Sequence, residues 1–203
     1  DIRLVFLGKS YTEALIAACP HVDSFLNWDT LAAAPVSEAV RLLTATQADA
    51  IVHVLPSRQI AALAARAAIP LRIGTAHRWY HWLYCTKRLS FSRKKSLLHE
   101  AQLNFKLLAP FGVEVPVWSA IPTEGLLEPP TSLPDAIRQR FHSGTRVILH
   151  PKSQGSAVEW GIPNFIELAN VLLARGVQVI FTGTEAEGRM FGEALPPHPL
   201  LLN

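Results

Sequence analysis

The chain has 203 residues, 49% hydrophobic and 17% charged, with a formal net charge of +3, ample apolar content for one large or two small cores. No apolar run reaches the roughly 18 residues of a membrane span, and no secretory signal is visible at the start. Cys19 and Cys85 are too few for a disulfide framework and lack metal-ligand spacing, which suits a reducing cytoplasm with both thiols as inert packing residues.

The chain begins directly in the strand-like IRLVFLG and ends at Leu200 to Asn203 in what reads as the start of another strand, so the expectation is a piece of a longer protein, cut at both ends. In between, the first half alternates. Ile2 to Leu7 reads as a strand, Tyr11 to Cys19 as a helix and Val22 to Trp28 as a short strand. Ser37 to Gln47 reads as a helix with Ser37 as N-cap, and Ala50 to Leu55 as an apolar strand. Ser57 to Ala68 reads as a helix capped by Ser57, and Leu71 to Gly74 as a further strand. Such alternation predicts a parallel sheet with helices on both faces.

From Thr75 the texture changes. The run TAHRWYHWLYCTKRLSFSRKK packs Trp79, Tyr80, Trp82 and Tyr84 among His77, Arg78, His81, Lys87, Arg88, Arg93, Lys94 and Lys95, with no carboxylate before Glu100. A basic, aromatic surface suits nucleic acid, lipid head groups or a phosphorylated sugar; a solvated loop with its aromatics tucked into the core is the alternative. Leu97 to Leu108 reads as a packing helix with Leu98, Ala101, Phe105 and Leu108 on one face. The Pro-rich stretch that follows reads as a linker. The domains expected are residues 1–121, a linker 122–133, and 134–203, with a cleft between the lobes as the default binding site.

The stretch from Arg146 to Arg189 is the most informative. Val147 to Leu149 form a strand that ends in a loop, HPKSQGSAVEW. Phe165, Leu168, Ala169, Leu172 and Leu173 mark an amphipathic helix with Pro163 in its first turn and Gly176 at its stop. Val177 to Phe181 return as a second strand ending in Thr182, Gly183 and Thr184. In a β-α-β unit both loops fall on one edge of the sheet, where ligands bind. Ser153, Gly155 and Ser156 before a helix N-terminus, with Lys152 as a cation, have the chemistry of a phosphate site, although Gly and Ser also serve simply to turn a chain. Neither an ATPase P-loop pattern nor a dinucleotide fingerprint is present.

HPKSQGSAVEW followed by helix, strand and FTGTEAE, and preceded by IPLRIGTAHRWYHW and HEAQLNFKLL, resembles the ADP-heptose:lipopolysaccharide heptosyltransferases of glycosyltransferase family 9 over essentially the whole chain. The resemblance implies an α/β fold of GT-B type, with two Rossmann-like lobes and parallel sheets, both truncated here. It implies inverting, metal-independent transfer of heptose from ADP-heptose to the anionic lipopolysaccharide inner core. It implies no cofactor, no nucleic-acid partner, and a cytoplasmic protein in peripheral contact with the inner membrane. Carried over by position, Ser153, Gln154, Gly155 and Ser156 match the loop around the donor diphosphate, and Lys152 and Gly183 are counted with them on the donor side. Glu187 belongs to the ADP ribose, where a carboxylate accepts two hydroxyl protons; otherwise it is an exposed helix-N-terminal acid. His77, Arg78, Arg93, Lys94 and Lys95 belong to the acceptor, whose carboxylates and phosphates suit arginine forks.

Three departures accompany the resemblance. Val158 stands where many members have a Lys or Arg, a role that Lys152 is expected to fill. The catalytic Asp base is expected before Asp1, and the rest of the donor pocket after Asn203, so the fragment is expected to be inactive. Two alternatives remain: a GT-B enzyme with another nucleotide sugar, and a non-catalytic anion-binding module.

Overall fold

The computed structural model describes residues 2–94, 96–128, 133–153 and 157–203. The chain divides into two compact units, Asp1–Pro130 and Thr131–Asn203.

In the first unit, β1 (Val5–Gly8) leads through a 3-10 turn, Ser10–Thr12, into α1 (Glu13–Ala17). β2 (Ser24–Asn27) returns parallel to β1, with Val5 opposite Ser24 and Gly8 opposite Asn27. The strand expected over Val22 to Trp28 is shorter because Asn27 caps a helix. Its side chain accepts from the backbone N–H of Asp29 at 2.9 Å and Thr30 at 3.3 Å, and α2 (Trp28–Ala33) starts at once. Pro35 then holds Ala34 extended (ψ 155°) and separates α2 from α3 (Val36–Ala45). Pro35, and not Ser37 as expected from the sequence, therefore occupies the N-cap of α3.

β3 (Ala50–Val52) is followed by α4 (Arg58–Arg66), whose Ile60 N–H is accepted by the Ser57 hydroxyl at 3.4 Å, as the sequence predicts. β4 (Leu71–Thr75), α5 (Trp79–Tyr84), β5 (Lys87–Leu89) and α6 (Glu100–Lys106) complete the regular elements. The sheet β3-β4-β5 is parallel throughout, as is β1-β2. Leu31, Ala39, Leu43 and Leu63 form the core of this unit, with Leu7, Leu26 and Trp28 packed against them.

Three features differ from the sequence reading. The basic run after Thr75 holds a helix and a strand, too short to betray a period. α6 begins at Glu100, and Leu103 and Leu107 are its buried anchors, not Leu98, Ala101, Phe105 and Leu108. Its start is set by His99, whose Nδ1 accepts the Ala101 N–H at 3.2 Å. Finally, β1 and β3, although apolar throughout like strands covered on both faces, each lie at the edge of their own sheet, and neither contains a buried residue.

The second unit comprises α7 (Asp135–Arg138), β6 (Arg146–Leu149), α8 (Ile162–Ala174), β7 (Gln178–Phe181), α9 (Glu185–Gly192) and β8 (Leu201–Leu202). Its parallel sheet runs β6-β7-β8, with Leu149 opposite Phe181 and Val179 opposite Leu201. Leu149, Ala169, Leu173, Val179, Phe181, Phe191 and Leu201 form one core beneath α8 and α9. Gly176 ends α8 in the left-handed region at φ 73°, where a side chain would strain the backbone. Gln178, fully buried at the start of β7, accepts the His142 N–H at 2.8 Å and donates to the Arg140 carbonyl at 2.6 Å, so its amide is satisfied.

Candidate functional site

The parallel register of β6 and β7 brings the loops after Leu149 and Phe181 to one edge of the sheet. Between them lies a cavity of about 640 Å3 lined by His150, Lys152, Ser153, Thr182, Gly183, Thr184 and Glu187. Four residues assigned to the donor side in the sequence thus converge here: Lys152, Ser153, Gly183 and Glu187. Gln154, Gly155 and Ser156 lie outside the described residues.

Glu187 is not the exposed acid of the alternative reading but is 9% exposed, locked by a reciprocal cap. The Thr184 hydroxyl accepts the Glu187 N–H at 3.3 Å, and Glu187 Oε2 accepts the Thr184 N–H at 2.7 Å. This capping box is legible in the spacing Thr184-x-x-Glu187. Gly183 makes room for it, since a Cβ at 183 would lie 3.0 Å from Glu187 Oε2 and 3.3 Å from its Cβ.

Glu159 clasps the loop after β6. It accepts Lys152 Nζ at 2.5 Å through Oε2 and the Ser153 N–H at 3.2 Å through Oε1. The Lys152 contact first, and the Ser153 N–H next, hold its carboxyl below the usual carboxylate range. Lys152 therefore reaches the cavity with its charge compensated. Val158 is fully exposed. Glu159 went unnoticed in the sequence, where a carboxylate seven residues from a lysine carries no helical signal.

Besides Thr182 and Thr184, His150 lines the cavity without being a site residue that the sequence predicts. It follows β6 directly, and its Nδ1 lies 3.0 Å from the Thr182 hydroxyl at the end of β7. A smaller adjoining cavity, about 520 Å3, is lined by Thr182, Gly183, Thr184, Glu185, Arg189 and Asn203, among others. Arg189 is paired there with Glu185.

The acceptor-side candidates belong to the first unit. His77 and Arg78 are exposed between β4 and α5, and Lys94 is exposed; Lys95 lies outside the described residues. Arg93 is tied to the scaffold by an ion pair with Glu100, a bond to Asn104 Oδ1 at 3.0 Å, and a guanidinium 5.7 Å from the Phe91 ring centre. The aromatic residues divide. Tyr80 and Tyr84 are half-buried, while Trp79 and Trp82 are each 61% exposed, with Arg58 and Arg88 stacked over them at 5.1 and 4.6 Å.

Beneath this surface, His53 and His81 are buried with their rings 5.4 Å apart. Thr75 holds His81 Nδ1 at 2.9 to 3.0 Å, and Gly74 gives its ring space, since a Cβ there would lie 2.6 Å from Nδ1. Neither Nε2 has a hydrogen-bond partner among the described residues. Burial first, then His81 and Arg72, push His53 down to about 4; burial likewise lowers His81. Burial pushes the Cys85 thiol up to about 11, which keeps it an unreactive packing group. Among the described residues no three His, Cys, Asp or Glu side chains gather to hold a metal ion, and no helix is long and apolar enough to cross a membrane.

No protein-family model matches the sequence, and no curated protein matches it. Solved structures do. The chain superposes on Escherichia coli ADP-heptose lps heptosyltransferase II (TM-score 0.62, 16% identity), covering 99% of this chain and 62% of that one. For a glycosyl transferase of family 9 from Veillonella parvula the values are 0.68 and 15%, with 98% and 59% covered. For E. coli heptosyltransferase WaaC with ADP-2-deoxy-2-fluoro heptose they are 0.66 and 12%, with 99% and 66% covered. The chain thus spans about six-tenths of the length of the structures it resembles. At these identities the likeness concerns the fold: α/β with parallel sheets, GT-B type, that of the family 9 heptosyltransferases.

Proposed function

We propose that this chain forms the greater part of a glycosyltransferase that moves heptose from ADP-heptose to the lipopolysaccharide inner core with inversion. The observation that carries the reading is the cavity at the edge of β6 and β7. There the hydroxyls of Ser153, Thr182 and Thr184, the backbone at Gly183 and the capped carboxylate of Glu187 converge on a fold of heptosyltransferase type. Lys152, Ser153, Gln154, Gly155, Ser156 and Gly183 take the diphosphate, and Glu187 takes the ribose hydroxyls, for which an ionised carboxylate is a strong double acceptor.

In an inverting transfer the acceptor hydroxyl attacks the anomeric carbon from the face opposite the diphosphate. A base takes its proton, the carbon–oxygen bond to ADP breaks, and negative charge accumulates on the leaving phosphate. Hydroxyls and backbone N–H groups preorganised around that phosphate lower the barrier with neither metal nor cofactor. His77, Arg78, Arg93, Lys94 and Lys95 take the anionic acceptor. The exposed Trp79 and Trp82 with their stacked arginines support peripheral contact with an anionic lipid surface on the cytoplasmic side of the inner membrane.

Calorimetric titration of the full-length protein with ADP-heptose, and with UDP- and GDP-sugars, tests the reading. ADP-heptose is expected to bind preferentially. Glu187→Gln, which keeps a capping-box residue at that position, is expected to weaken binding by roughly ten-fold. Preference for a UDP- or GDP-sugar would move the function to another donor, and duplex DNA binding with a steep salt slope and no nucleotide-sugar response would favour an anion-binding module.

A further inference from the structure

We infer that His150, as an imidazolium, supplies the positive charge that the departing diphosphate of the sugar donor needs. The inference rests on the nucleotide-sugar reading of the cavity. Among the described residues, the lysine and the arginine that line that edge, Lys152 and Arg189, are both paired. Lys152 is held at 2.5 Å by Glu159, so the pair adds no net charge. Arg189, in the adjoining cavity, is matched by Glu185 in the same way. Position 158 carries an exposed valine. A cavity with Glu187 on its wall and its lysine compensated is a poor host for a diphosphate unless another group brings charge.

His150 is placed to do so. It directly follows Leu149, the last residue of β6 and a core anchor, so its backbone is fixed by the sheet. Its imidazole lines the cavity and is steered by Thr182, which lies opposite on β7's own loop. When both ring nitrogens are protonated, Nδ1–H donates to the Thr182 hydroxyl and Nε2–H remains for an anion. The groups around it are Lys152 with its partner Glu159 on the same loop, Thr182 and Thr184 beyond β7, and Glu187 and the Glu185–Arg189 pair from α9. An incoming diphosphate favours the imidazolium, and by linkage the imidazolium favours the diphosphate. The charge matters more as ADP leaves, when negative charge on its β-phosphate grows.

The test is binding of ADP-heptose to the full-length protein at pH 8 and pH 6, by calorimetry, comparing the natural chain with His150→Gln and His150→Lys. The diphosphate diester stays ionised over this range, so a change in affinity reports the protein. The natural chain is expected to bind roughly ten-fold tighter at pH 6. His150→Gln, which keeps a hydrogen-bond donor without the charge, should bind weakly at both values with the slope gone. His150→Lys should bind tightly at both, a rescue that a merely structural role for the ring does not predict. Binding by the natural chain with no pH slope, or a slope that survives in His150→Gln, overturns the inference and leaves the nucleotide-sugar reading standing. Failure of the natural chain to bind ADP-heptose at either pH overturns that reading, and the inference with it.

Discussion

Acid should destabilise the first unit through His53, and by an amount that follows from its surroundings. The imidazole is 3% exposed, its Nε2 has no partner among the described residues, and a second buried imidazole lies 5.4 Å away. Its value falls from 6.5 to about 4 on folding. A lowered folded-state value means that the unfolded chain takes up the proton first. Stability is therefore complete above pH 6.5, falls as the pH drops through the interval between the two values, and stops falling near pH 4. At pH 5 the loss relative to pH 8 is about 2 kcal/mol, and about 3 kcal/mol once both states are protonated. His81, lowered in the same direction, adds to this. Urea unfolding followed by tryptophan fluorescence reports chiefly on this unit, since Trp28, Trp79, Trp82 and Trp118 lie in it and only Trp160 lies in the other. The comparison is between the natural chain and His53→Leu at both pH values. Whatever leucine does at pH 8, the fall in stability to pH 5 should shrink by about 2 kcal/mol, because the other titrating groups are common to both chains. Parallel pH dependences in the two proteins would refute the reasoning.

Two glycines carry further expectations. Gly74→Ala forces a methyl group to 2.6 Å from the ring of a buried His81 that Thr75 holds in place, so overpacking of about 1 to 3 kcal/mol is expected; an unchanged thermal midpoint would show that the ring moves freely. Gly183→Ala brings a methyl to 3.0 Å from Glu187 Oε2 and should displace the carboxylate from its bond to Thr184, costing about 1 kcal/mol in a melt. Donor affinity should fall with it, measured by titration with ADP-heptose.

The sequence was most informative where one element follows directly on another. Val147 to Leu149, Pro163, Gly176 and the small residues at 182–184 mark strand, helix entry, helix stop and loop, and the β-α-β unit of the second half stands as read. The Thr184-x-x-Glu187 spacing and the Ser57 cap are equally local. Less was legible where the chain turns within three or four residues. α2 begins on the residue after β2, and α5 and β5 lie inside a basic run in which six and three residues leave no period to detect. The shift of the α6 face to Leu103 and Leu107 came from the His99 cap, which sets where that helix starts.

Of the candidate site, the sequence alone determined its address. Parallel strands joined by a helix must place their following loops on one edge, and residues that satisfy backbone groups three positions away announce themselves by spacing. What only the tertiary structure decided is the charge and the occupancy of each group. Glu159 compensates Lys152 across seven residues, Glu100 compensates Arg93, Thr182 steers His150 across the strand pair, and His53 meets His81 in the dark between β3 and α5. These partners are set by packing rather than by spacing. The field at a side chain depends on every group within a few ångströms, and which groups those are is known only once the sheets and helices have been brought together.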